Sequence, residues 1–163
     1  MILNNNYTKA KNITISFLKE NNVDSIDCIS FDMIDVFKLG TNLGFMILEG
    51  SFPNDDKMCV LLVNEKEKTI DKFNSNKVLV FRDDMPLNYT IRSVAYELAN
   101  YIYSKHLYND RPLVLGELYK TGTEYPDNMV SMIASTLVSP LTYHDTDINI
   151  NYETQMSRRK KFR

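Results

Sequence analysis

The chain has 163 residues, 25% of them charged and 44% apolar, and a formal net charge of −2 at pH 7. This is the size and composition of one globular domain with room for a real core, which excludes a disordered or fibrous chain. No apolar run approaches the ~18–20 residues of a membrane span.

Taken in chain order, the first predicted element is a helix over residues 5–20, with Tyr7, Ala10, Ile13, Phe17 and Leu18 at helical spacing. Asp35 is a good N-cap for a short helix running to about Leu43, and Gly44 suits the position just past its end. Phe45–Leu48 then reads as a strand, 50–56 as a loop rich in turn residues, and Met58–Val63 as an apolar run of strand length. Glu65–Lys68 is a charged turn or strand edge, and Asn74-Ser75-Asn76 marks a turn before a strand over 77–82. A long helix follows Pro86, with Asn88 as the expected N-cap. Its core stripe is Ile91, Val94, Ala95, Leu98 and Ile102, and Tyr96, Asn100, Tyr103 and Leu107 form a neighbouring stripe. Residues 107–123 form a loop, and a last helix over about 125–138 stops before Pro140. There is no internal repeat and no low-complexity linker. The expected architecture is α+β: an N-terminal helix, a small three-stranded sheet and two packed helices.

The opening Met1–Asn6 has neither the basic nor the apolar region of a signal peptide, so the expected compartment is the cytoplasm. Cys28 and Cys59 lie 31 residues apart with no CxxC and are expected to be small buried hydrophobes. Charge is uneven. Arg158, Arg159, Lys160, Lys161 and Arg163 crowd the end of the chain, and subtracting these five from the net charge of −2 leaves −7 for the rest. The division expected is a domain over 1–143 and an extension over 144–163 with a basic end. That end is a frayed, solvated terminus on the plainer reading, and it is the only part suited to nucleic acid.

One window carries a chemical pattern. In H-E-x-x-H, two His at i and i+4 share a helix face and bind zinc, and the Glu acts as general base. Tyr96-Glu97-Leu98-Ala99-Asn100 keeps the Glu and lacks both His. Alone, such a window is equally an ordinary amphipathic helix with a solvated Glu. Its neighbours add to it. Ile34–Ile47 reads as a helix-then-strand opening, Lys77–Asp83 as a strand ahead of the helix, and Met129–Pro140 as a closing helix that ends on Pro. In this order, and with Val94-Ala95, Glu97-Leu98, Tyr101 and Ile102 fitting the central helix, residues 5–143 resemble the ImmA/IrrE family of small zincin-like peptidases.

The resemblance implies a zincin-like minimal metallopeptidase fold and places the family's site at Tyr96, Glu97 and Asn100. A third zinc ligand, a Glu in the family, falls at Met129, and Asp127 is the nearest carboxylate. Tyr and Asn do not replace imidazole, so zinc is expected to be lost, with no catalytic residue and Glu97 a relic general base. His106 lies ten residues beyond Tyr96, about 15 Å along the helix axis, and cannot stand in for a missing ligand. His144 with one Glu makes a poor zinc site. No G-x-S-x-G, P-loop or G-x-G-x-x-G is present. The expected function is that of a catalytically inactive pseudopeptidase that binds a protein partner, by family analogy a helix-turn-helix repressor of a phage or mobile element. The alternative is an active metal-dependent endopeptidase with atypical ligands.

Overall fold

The computed structural model describes residues 2–21, 29–30, 33–51, 58–118 and 128–138. Cys28, Asp127, His144 and the basic end at 158–163 lie outside the described residues. The elements are α1 (Ile2–Glu20), β1 (Ile29–Ser30), β2 (Met33–Ile34), α2 (Val36–Asn42), β3 (Met46–Gly50), β4 (Cys59–Val63), β5 (Lys77–Arg82), α3 (Leu87–Leu107) and α4 (Asn128–Val138). The class is α+β, with four helices and a small three-stranded sheet among the described residues. None of the described helices is long and apolar enough to cross a membrane.

Local chemistry explains the boundaries of α2. Asp35 is fully buried, and its Oδ1 accepts from the amides of Phe37 and Lys38 at 3.1 Å each, satisfying two donors that the first turn leaves over. Gly44 sits at φ +88°, the left-handed conformation that ends a helix at little cost only for Gly. Gly40 has a different reason to be small. A Cβ there would lie 2.9 Å from Ile47 Cδ1 and 3.8 Å from Leu98 Cδ1, so α2 is packed tightly between β3 and α3.

The sheet order is β3-β5-β4, with β3 parallel to β5 and β4 antiparallel to it. β5 is the central strand, and its Val78, Leu79 and Phe81 are wholly buried. Phe81 meets Phe37 of α2 edge-on, with centroids 5.7 Å apart. α3 is the shared element of the core. It packs on β4 and β5, on α2, and on both α1 and α4. The expected stripe of Ile91, Val94, Ala95, Leu98 and Ile102 is buried, as are Ala10, Ile13, Phe17 and Leu18 of α1.

The structure departs from expectation in four places, the first being that α1 starts at Ile2 and not at residue 5. α3 begins at Leu87 with Pro86 as its N-cap, and Asn88 lies inside the first turn. No side chain caps this end, and the proline pre-sets the entry without a hydrogen bond. β1 and β2 form an extra antiparallel pair, Ile29 with Ile34 and Ser30 with Met33. Two-residue strands are too short for an alternating pattern to reveal. The strand after Gly44 begins at Met46 and runs on to Gly50.

Candidate functional site

A cleft of about 520 Å³ opens between β4 and the N-terminal half of α3. Met58, Cys59, Val60 and Leu61 form one wall, and Tyr89, Arg92, Ser93, Tyr96 and Glu97 form the other. The two walls touch at one end, where the Ser93 hydroxyl donates to Met58 Sδ at 3.6 Å.

The hydrogen-bond phase of β4 fixes what its edge offers. The Arg82 amide donates to the Met58 carbonyl at 3.1 Å, and the Asn64 amide donates to the Asn76 carbonyl at 2.9 Å. In an antiparallel ladder the peptide groups of alternate residues face the partner strand. Residues 58, 60, 62 and 64 therefore direct theirs at β5. Cys59, Leu61 and Val63 direct theirs away from it, while their side chains are buried. Beyond the strand this edge is covered, since the Glu65 amide donates to the Leu113 carbonyl at 2.6 Å. At Cys59 and Leu61 it borders the cleft.

Inside the cleft, Glu97 stands close enough to Cys59 to act on it electrostatically. Burial pushes the Cys59 thiol well above its ordinary pKa, the negative charge of Glu97 adds to that, and a backbone hydrogen bond at Val60 opposes both weakly. The thiol is therefore held protonated, the unreactive form. Cys59 is the buried small hydrophobe the sequence suggested.

The family positions separate in space. Tyr96 and Glu97 line the cleft. Asn100 does not: it is buried, and its Oδ1 accepts from the Ser104 hydroxyl at 3.2 Å, one turn further along α3. Helical azimuth does not separate it, since ~40° from Tyr96 falls between Tyr96 and Glu97; Asn100 lies one turn further along the axis than Tyr96, ~6 Å away, past the lining residues. Met129 is half-buried on α4 against the apolar core. His106 lies far from this site, in a second groove of about 580 Å³ between α1 and the end of α3, stacked on Tyr103 with centroids 6.2 Å apart. Among the described residues no group of three or more His, Cys, Asp or Glu is placed to hold a metal ion.

Sequence reasoning missed a second polar cluster at the other end of α3. The Glu65 carboxylate accepts from the Tyr101 hydroxyl, the Lys105 ammonium and the Leu113 amide, each at 3.0 Å. Lys105 also donates to the carbonyls of Asp110 (3.2 Å) and Arg111 (2.8 Å). Lys77 sits 5.6 Å and 5.8 Å from the ring centroids of Phe45 and Tyr101 and donates to the Leu43 carbonyl. Burial works to raise the Glu65 carboxyl, but the Leu113 amide, Lys105 and Tyr101 together outweigh it and hold its pKa below the ordinary value. Burial raises the Tyr101 hydroxyl, and the Glu65 charge raises it further. Burial pulls Lys77 below its ordinary value, against the attraction of Glu65. The one local signal of this cluster is Tyr101 and Lys105 at i, i+4.

No family model, no curated protein and no solved structure matches the chain.

Proposed function

We propose that this chain is a non-catalytic, ImmA/IrrE-like pseudopeptidase with a zincin-like fold, and that it binds an extended segment of a protein partner along β4. The observation that carries this reading is the cleft itself. The helix with the H-E-x-x-H-like frame sets Tyr96 and Glu97 against a strand edge that pairs with no further strand among the described residues, and there the peptide groups of Cys59 and Leu61 face outward. An extended chain adds to such an edge through main-chain hydrogen bonds, and the flanking pocket takes its alternate side chains. The family resemblance supplies the partner class, a helix-turn-helix repressor of a phage or mobile element. Peptide hydrolysis is not part of the proposal, because on the family resemblance Tyr96 and Asn100 fall at the two histidine positions, and neither side chain is an ordinary zinc ligand that would give Glu97 a metal-bound water to activate.

Two measurements test it. Protein purified without a His-tag should carry well under one zinc per chain, and a chelator should leave its melting temperature unchanged. On titration with a repressor of this class, the amides of Cys59 and Leu61 should exchange more slowly with solvent. Stoichiometric zinc together with cleavage of the repressor would establish the active endopeptidase instead. Unchanged exchange at both amides in a saturated complex would remove the cleft from the reading.

A further inference from the structure

We infer that the segment bound in the cleft carries an acidic side chain, and that Arg92 is the residue that selects it. This rests on the peptide-binding reading above and goes beyond it by naming the chemistry of the occupant. Strand addition alone is nearly blind to sequence, because it uses the main chain, so selectivity must come from the walls. The β4 wall is uncharged: Met58, Cys59, Val60 and Leu61, with the Cys59 thiol held neutral. Among the described residues, charge in the cleft comes from α3, as Arg92 and Glu97.

Both other described arginines, and Lys105 beside them, are paired. Arg82 is paired with Asp84 at 2.8 Å, Lys105 with Glu65 at 3.0 Å, and Arg111 with Glu117. Arg92 is exposed and, among the described residues, makes neither an ion pair nor a hydrogen bond. It follows Tyr89 by three residues and precedes Tyr96 by four, so it shares their helix face, and all three line the cleft. The Ser93–Met58 contact puts Arg92 at the Met58 end, whereas Glu97 lies by Cys59. The two are five positions apart, about 7.5 Å along the axis. That is close to the Debye length of ~8 Å at physiological salt, so screening weakens the repulsion from Glu97 in part, while a carboxylate in contact with Arg92 keeps the stronger attraction. A guanidinium fork matches a carboxylate in shape as well as in charge.

The test uses random eight-residue peptides displayed on yeast, sorted for binding to the full chain and, in parallel, to Arg92→Gln. Peptides selected by the natural sequence should concentrate Asp or Glu at one position, and that preference should vanish with Arg92→Gln. In solution, a selected Glu peptide should bind about threefold more tightly than its Gln counterpart, the size expected of an exposed ion pair. Arg92→Lys should keep part of the preference. Binders that show no acidic preference, or a preference that survives Arg92→Gln, would overturn the inference and leave peptide binding standing. Absence of any binder from the library, with the protein folded by circular dichroism, would remove both.

Discussion

The two ends of α3 carry similar side chains in opposite situations. Toward its C-terminus, Tyr101 and Lys105 close on Glu65, and the Lys105 and Glu65 side chains keep only 8% and 16% of their exposure. Toward its N-terminus, Tyr96, Glu97 and Arg92 stand beside a strand edge whose outward peptide groups border a cleft. In the first case polar chemistry ties β4, α3 and the 110–113 segment together, with the carboxylate's lone pairs used internally. In the second it is presented at an opening. One helix thus runs from a polar cluster tied into the fold to the wall of a cleft, and each end should respond differently to mutation.

The largest expected effect belongs to the closed end. Glu65→Ala leaves the Lys105 ammonium buried without its counter-charge, and should cost about 3–5 kcal/mol by urea denaturation. A cost under about 1 kcal/mol would mean that the cluster is wet and that the two ends do not differ. Leu98→Ala is the packing reference midway along the helix. Leu98 is fully buried against α2, and its truncation should cost roughly 2–5 kcal/mol.

The triple change Tyr96→His, Asn100→His and Met129→Glu sharpens the comparison at the open end. If the zincin arrangement underlies the cleft, it creates three ligands and an open fourth position, and zinc at a hundredfold excess over its dissociation constant should stabilise the fold by about 2.7 kcal/mol. The double His change alone should suffice if Asp127 supplies the third ligand. Failure of both folded variants to bind zinc, followed by calorimetry, would make the frame an ordinary helix. Asn100 makes this a demanding test, since its side chain is engaged with Ser104 away from the cleft wall.

The response to pH follows from Glu65. Its folded pKa is depressed, so its contribution is fully present above the unfolded value of 4.5 and is lost as pH falls through the folded value. Wild-type stability should therefore fall more steeply below pH 4.5 than that of Glu65→Gln, whose curve should lack this component. Parallel curves would show that the carboxylate is not held charged by its partners. The smallest effect is expected at Glu97→Gln, within about 0.5 kcal/mol, as for a side chain at a partly wet cleft. A loss as large as that of Leu98→Ala would give Glu97 a structural role.

How far the sequence could anticipate this follows the range of the forces involved. Asp35 as an N-cap, Gly44 after the helix and the strand at 77–82 depend on neighbours within a few residues, and all three were legible. The burial of Asn100 was not, because its azimuth matches that of the cleft-lining residues and only its place one turn further along α3 sets it apart. The Glu65 cluster was hidden for a different reason. Its partners lie 36, 40 and 48 residues away, and only the closed fold brings them together. The cleft was legible on its helical side alone. That β4 is the edge strand among the described residues depends on sheet order, and three strands separated by loops leave that order open.

The makeup of β4 has a consequence for handling the protein. Cys59-Val60-Leu61-Leu62-Val63 contains no charge and no proline, and its pairing with β5 runs without a bulge from Cys59 through Val63. Natural sheets usually blunt an open edge with one of those devices. Without them the strand is a template on which a second chain can lay down a ladder, and a five-residue apolar segment of high β-propensity is a seed for that growth. Colloidal stability of the purified chain should therefore decline with concentration when nothing occupies the edge. A single lysine at Leu62, whose side chain is half-buried on the other face of the strand, should delay turbidity at a smaller cost in folding free energy than one at the buried Leu61.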